Sequence, residues 1–186
     1  DHNPIWSAQR EGRAKDGCDV TEPAVIKMLT LSRGQNESRE SVLKSLNIVP
    51  LVIAYELDPC DELKAAELSA GANYIKAEFE DVASMSLGIT GQKGRVHLHF
   101  GDPLDPELDV AGVVSAIDQQ MVAYYRLYRT NVWAWEWLHG QKVPDFVTPH
   151  EGAIPESAFR LRVEAAPMQY RDQLLAMYAN PVSRLL

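Results

Sequence analysis

The run Ile48-Val49-Pro50-Leu51-Val52-Ile53-Ala54-Tyr55 constrains the fold more than any other part of this sequence. It is apolar without a break and of strand length, the pattern of a strand covered on both faces, as in a parallel sheet. Pro50 has no N–H to give a ladder, which puts it at the strand's first residues or at a bulge. Helical segments surround this run. Ala24 to Leu31 is apolar almost all round and is closed by Ser32-Arg33-Gly34-Gln35-Asn36. A second helix covers about Ser38 to Leu46, a third covers Asp58 to Ala70 with acidic residues at its start, and a fourth lies near Phe79 to Gly88. In Arg95 to Phe100, Val96, Leu98 and Phe100 alternate with His97 and His99, which predicts a strand with its apolar side buried. A short apolar run at Ile5 predicts one more strand at the amino end. The order strand, helices, strand, helix, strand predicts an α/β fold with a mixed or mostly parallel sheet flanked by helices.

From Val110 onward the pattern is helical throughout. Val110, Val113, Ile117, Met121, Tyr124 and Tyr128 recur at three- and four-residue spacing, one stripe of a long helix, and Thr130-Asn131 interrupts it with a new cap. Trp133, Trp135 and Trp137 form a short aromatic segment whose members point to different sides of a helix, which favours packing roles over a single acyl-lining stripe. Gly140 to Pro155 reads as loop, and helices near Glu156 to Ala165 and Met168 to Tyr178 close the chain. The expected organisation is an α/β part over residues 1–108 and a helical extension over 109–186 packed on it. Only three strands are evident where a sheet commonly has about 4 to 6, so the α/β part reads as a portion of a larger sheet domain.

Charge and cysteine content exclude several classes. With 18 Lys and Arg against 26 Asp and Glu, the net charge of −8 argues against a general nucleic-acid binder. Cys18 and Cys60 are too few for a disulfide framework or a zinc site. No run approaches the ~20 apolar residues of a membrane helix, and no signal-peptide pattern opens the chain, which predicts a cytoplasmic protein with peripheral contact at the inner membrane face left open.

Against this acidic background one basic cluster stands out. Gln9-Arg10-Glu11-Gly12-Arg13-Ala14-Lys15 follows the Ile5 run and precedes Thr21 and Pro23, which suit the start of a helix. Three cations around a glycine between strand and helix form a seat for phosphate or carboxylate: the glycine admits the anion to the backbone, and the cations supply charge-assisted hydrogen bonds. Other chemistries lack their residues. His97 and His99 would stand roughly 7 Å apart on a strand, but no third metal ligand is apparent. His2 meets Ser7 and no acid five positions on, His139 and His150 have no serine or cysteine signature beside them, and the sequence holds no Gly-x-Ser-x-Gly elbow, P-loop or Gly-x-Gly-x-x-Gly turn. Asp58 with Asp61, and Glu78 with Glu80 and Asp81, read as helix-start or solvated charges.

Three blocks taken in order resemble the second half of the glycerol-phosphate and lysophosphatidate acyltransferase family. In that family a strand leads to a Phe-Pro-Glu-Gly-Thr-Arg-Ser-like block that binds the acceptor's phosphate, and Gln9 to Lys15 holds its place here. An apolar strand with an internal proline follows, matched by Ile48 to Ile53 with Pro50. A later strand ends in Gly-Asp/Glu-Pro, matched by His99-Phe100-Gly101-Asp102-Pro103. The resemblance covers about residues 5 to 105, and Tyr125 to Asn131 is similar to an extension in one bacterial branch. It implies transfer of a fatty acyl group from acyl-CoA or acyl carrier protein to a glycerol phosphate or lysophospholipid, with no bound cofactor. Arg10, Glu11, Gly12, Arg13 and Lys15 would hold the phosphate, while Pro50, Gly101 and Pro103 would be structural. Two departures stand out. Arg13 and Ala14 replace the family's Thr and Arg, moving the cation one position earlier, with Lys15 as a further cation. The family's catalytic His-x4-Asp, which should precede the Glu-Gly block, is missing; His97 and Asp102 have the spacing but belong to the later strand end. The chain alone is therefore expected to be inactive. The rival readings are a non-catalytic anion- or lipid-binding module on the same scaffold, and an interaction domain built on the carboxy-terminal helices and the Trp133 to Trp137 segment.

Overall fold

The computed structural model describes residues 4–10, 15–31 and 33–186. Its elements run α1 (Pro23–Leu29), α2 (Arg39–Ser45), β1 (Leu51–Tyr55), α3 (Asp61–Ala70), α4 (Glu80–Thr90), β2 (Val96–Phe100), α5 (Val110–Tyr124), α6 (Arg129–His139), α7 (Glu156–Ala165) and α8 (Arg171–Ser183), with 3-10 turns at Gly71–Asn73 and Met168–Tyr170. The fold is mixed α/β and mainly helical. No helix among the described residues is long and apolar enough to cross a membrane.

The sheet corrects the expectation of parallel pairing. Among the described residues it has two strands, β1 and β2, paired antiparallel. The Gly101 N–H donates to the Pro50 carbonyl at 2.8 Å and the Glu56 N–H to the Arg95 carbonyl at 2.9 Å, so one strand descends as the other climbs. The physical reason lies in the connection: α3 and α4 return the chain to the Glu56 end of β1, and β2 can then only run backwards along it. A parallel ladder would need the connection to finish at the opposite end. The amino-terminal strand is likewise not formed. Ile5 and Trp6 are 89% and 80% exposed, and the segment's Gln9 carbonyl accepts from Glu22 N–H instead of joining a ladder.

Burial along the two strands also departs from the sequence pattern. In β1, Val52 and Ala54 are fully buried while Leu51, Ile53 and Tyr55 are half-buried. In β2 the polar side is the covered one: His97 and His99 are half-buried, whereas Val96, Leu98 and Phe100 are 49%, 53% and 69% exposed. His99 gains a stacking partner on that side, the Tyr124 ring, at 4.1 Å between centroids. Apolar alternation marks one face of a strand; it does not say which face the rest of the chain will cover.

The chain forms two compact units, interleaved in sequence. The first comprises residues 1–13, 19–52 and 99–124. Within it α1 packs on α5, whose Val113, Ile117 and Met121 form the buried part of the expected stripe. Thr21, just before α1, donates its N–H and hydroxyl to Asp118 of α5 at 2.8 and 2.6 Å. The second unit comprises residues 14–18, 53–98 and 125–186. Its core joins Leu57 and Ala65 to Trp135, Phe159, Val163, Leu174, Tyr178 and Val182. Phe159 meets the Tyr178 ring edge-on at 5.2 Å, a favoured aromatic geometry. The stripe that begins in α5 does not continue as one helix. The chain leaves α5 at Tyr124, and α6 starts at Arg129 with Tyr128 as its cap residue, whose N–H donates to Asn131 Oδ1 at 2.8 Å.

Candidate functional site

The basic block is partly described. Glu11, Gly12 and Arg13 lie outside the described residues. Arg10 is half-buried in a bend of the first unit, and Lys15 belongs to the second. The Lys15 ammonium forms an ion pair with Glu67 of α3. The residues after it are tied down tightly. Asp16 Oδ1 accepts from the Cys18 N–H at 3.0 Å, and the Asp16 carbonyl accepts from Asn180 Nδ2 of α8 at 2.7 Å. Gly17 between them has φ +73°, and a Cβ there would lie 2.1 Å from the Met177 carbonyl oxygen, so only glycine fits.

The two later blocks meet within the first unit. Besides the Gly101–Pro50 bond, the Leu104 N–H donates to the Ile48 carbonyl at 2.9 Å, so these strand ends lie directly beside each other. A Cβ on Gly101 would stand 2.1 Å from Gln120 Oε1. That Gln120 amide reads Asp102 in both directions, accepting from its N–H at 2.8 Å and donating to its carbonyl at 3.0 Å. The Asp102 carboxylate accepts from the Tyr124 hydroxyl at 2.8 Å, which raises the phenol above its usual range. Asp102 is thus engaged with α5, and Pro103 follows in the loop that leads there. The bonds within the Gly-Asp-Pro segment go to α5 and to the residues before β1.

Sequence reasoning missed a carboxylate of the second unit that accepts from three backbone N–H groups. Glu56, one residue past β1, is 1% exposed. Its Oε2 accepts from the N–H groups of Arg95 at 2.8 Å and Ala153 at 2.9 Å, and its Oε1 from Ile154 N–H at 2.7 Å. Two glycines wall it in: a Cβ on Gly94 would fall 2.4 Å from Oε2, and one on Gly152 would fall 1.9 Å from Oε1. Its own carbonyl accepts from the Thr130 hydroxyl at 2.7 Å. A carboxylate so saturated and so shielded joins three chain segments; it is not presented to a reactant. The sequence offers Gly94 and Gly152 as the only hint, and nothing local connects them to Glu56.

A second buried acid begins α3. Asp61 receives Arg162 Nε and Nη2 at 2.7 and 2.6 Å, a two-point guanidinium contact, together with the Tyr178 hydroxyl at 2.6 Å. The Tyr178 oxygen in turn accepts from Asp58 N–H at 2.9 Å. Burial, then the Asp61 charge, push the Tyr178 phenol far up, and Asp61 raises the Arg162 guanidinium further. Asp58 pairs with Lys64. These acids are therefore partnered structural charges. No group of three or more His, Cys, Asp or Glu residues placed to hold a metal ion occurs among the described residues.

The tryptophans divide by role. Trp135 lies in the core, while Trp133 and Trp137 line an open groove of about 440 Å³ with Glu136, Lys142, Glu156 and Arg160. Arg160 sits over the Trp137 ring at 5.1 Å and pairs with Glu156 at 2.9 Å, and Lys142 pairs with Glu136 at 2.7 Å, so the groove's charges neutralise one another. Comparison with family models, with curated proteins and with solved structures finds no match to this chain.

Proposed function

We propose that this chain is the acceptor-binding part of a glycerolipid O-acyltransferase, which moves a fatty acyl group from acyl-CoA or acyl carrier protein to a hydroxyl of glycerol phosphate or a lysophospholipid. The observation that carries this reading is the ordered trio of blocks at Gln9–Lys15, Ile48–Ile53 and His99–Pro103, the second and third of which lie side by side through the Gly101–Pro50 bond. Arg10, Arg13 and Lys15, with the Gly12 backbone N–H, bind the phosphate, and Glu11 offsets part of their charge. Their contribution is proximity: an anchored phosphate holds the acceptor hydroxyl at the donor's carbonyl. A histidine base, oriented by an aspartate and supplied from outside these residues, takes the hydroxyl proton. The oxygen attacks the thioester carbonyl, the ester forms, and the thiol leaves carrying a proton. This chemistry belongs in a bacterial cytoplasm, at the inner membrane face where such acceptors and products gather.

The test is an acyl-transfer assay on the full-length gene product with acyl-CoA and glycerol 3-phosphate. Arg13→Ala and Lys15→Ala are each expected to raise the acceptor KM more than they lower kcat, since they remove binding common to ground and transition states. An unchanged acceptor KM in both variants refutes the phosphate seat. Acceptor binding without turnover supports instead the non-catalytic anion-binding module.

A further inference from the structure

We infer that the outer face of α4 is where a second copy of this chain docks, helix against helix and antiparallel. The face lies wholly within the second unit. Phe79, Val82, Met85 and Ile89 recur at three- and four-residue spacing, the stripe by which an amphipathic helix joins its core. Here the stripe is turned outward, its members 58% to 80% exposed. The covered side is the small and polar one: Ser84 is buried, and Glu80 and Gly88, four residues to either side, are half-buried. Two links hold that side, the Cys60 thiol donating to the Ser84 carbonyl at 3.3 Å and the Tyr74 hydroxyl donating to Glu80 at 2.7 Å. Among the described residues no other helix packs extensively on α4. At 11 residues the helix is marginal in water without a packed apolar face. Its stripe also starts in a costly conformation: Phe79 has φ +63°, a region an aromatic residue rarely adopts, and its ring is still left in solvent.

Charge selects the occupant. Glu78, Glu80 and Asp81 stand at the amino end of α4, and no Lys or Arg lies between them and Lys93 and Arg95, just past its carboxyl end. Lys76 offsets Asp81 at 2.8 Å, which leaves that end acidic. Lys93 is fixed at the other end by donating to the Ile89 and Gly91 carbonyls at 3.0 and 3.1 Å. Laid antiparallel, each copy's acidic end comes beside the other's cationic end, the macrodipoles oppose, and the two stripes coincide. The pattern is complementary to itself about a two-fold axis, which makes the contact closed and isologous. A bilayer fits less well, because an anionic surface repels a chain of net charge −8 whose stripe no cation crosses.

The experiment is sedimentation velocity of the 186-residue chain from micromolar to millimolar concentration, with vesicles of phosphatidylethanolamine and phosphatidylglycerol as a parallel probe. One helix face is smaller than the ~800 Å² that each partner gives a standard interface, so a reversible dimer of micromolar Kd is expected. Val82→Asp puts a carboxylate in the first turn of α4, where the helix dipole favours it, and in the middle of the apolar contact. It is expected to raise the Kd about tenfold or more, with the monomer's circular dichroism and urea midpoint unchanged. Glu78→Arg is expected to weaken pairing about threefold, and adding Arg95→Glu to restore it. A wild-type chain still monomeric at millimolar concentration overturns the docking face. A dimer whose Kd is unmoved by Val82→Asp does so too, since it pairs through another surface. Vesicle binding that Val82→Asp abolishes in a chain that stays monomeric gives the face to a bilayer instead. Failure of the double reversal to restore pairing overturns the antiparallel arrangement.

Discussion

Replacing Glu56 with alanine strands three backbone donors at once, the N–H groups of Arg95, Ala153 and Ile154. A hydrogen bond to an ionised group contributes about 1.5–3 kcal/mol, and a buried donor left without a partner costs about 1–3 kcal/mol. Water entering the vacated space recovers part of this, which leaves an expected loss of about 4–6 kcal/mol for Glu56→Ala. Against a typical domain stability of about 5–15 kcal/mol, that is enough to bring the second unit near its unfolding threshold. Glu56→Gln is milder. Its amide oxygen can serve Ile154 or the Arg95–Ala153 pair while its NH2 faces the other, for a loss of about 2–3 kcal/mol. Urea unfolding followed by circular dichroism reads both as shifts in midpoint at constant slope. The decisive control is Gly152→Ala. Its new Cβ would collide with Glu56 Oε1, 1.9 Å away, so the substitution should be costly with Glu56 in place and nearly neutral in the Glu56→Ala background. A loss below about 1 kcal/mol for Glu56→Ala, or an equal cost of Gly152→Ala in both backgrounds, refutes the cage as the source of stability.

Other expectations follow from the same geometry. Tyr178→Phe removes a hydroxyl bonded to Asp61 and to Asp58 N–H and should cost about 1–3 kcal/mol in urea unfolding. The folded Tyr178 phenol is raised well above its ordinary value of about 10, so its contribution is complete below pH 10 and drains away as pH climbs beyond it. Wild type should therefore lose stability above pH 10 more steeply than Tyr178→Phe, and parallel curves would contradict the buried-phenol account. In the first unit, Gly101→Ala should displace the Gln120 amide, 2.1 Å from the new Cβ, and with it two bonds to Asp102. The expected cost is about 1–2 kcal/mol, largely relieved in a Gln120→Ala background, as thermal melts of the single and double variants would show.

Much of the helical content was legible because helices are local. The acidic start marked α3, expected over Asp58 to Ala70 and found at Asp61–Ala70, and α7 spans Glu156–Ala165 as expected. Both strands were legible for the same reason, as an apolar run and an alternation. Their pairing direction was not, because it depends on where two intervening helices return the chain. The covered face of β2 was equally hidden: the ring that covers His99 belongs to Tyr124 of a later helix. Of the candidate residues, the structure joins Pro50 and Gly101, 51 positions apart, by one hydrogen bond that neither block announces by itself. Glu56 could not be found in this way, since its donors stand 39, 97 and 98 residues away.

The seat of Gly17 on α8 has a consequence for the order in which the protein is made. The Asp16 carbonyl and its Asn180 donor are 164 residues apart, near the two ends of the chain. At roughly 5–20 residues per second, a ribosome needs on the order of ten to thirty seconds to cross that interval. During that time Lys15 to Cys18 have emerged but their receiving helix has not been synthesised. The contacts that hold Asp16 and Gly17 against α8 can therefore form only once that helix has been made, and a nascent chain stalled before α8 would carry residues 15–18 without them.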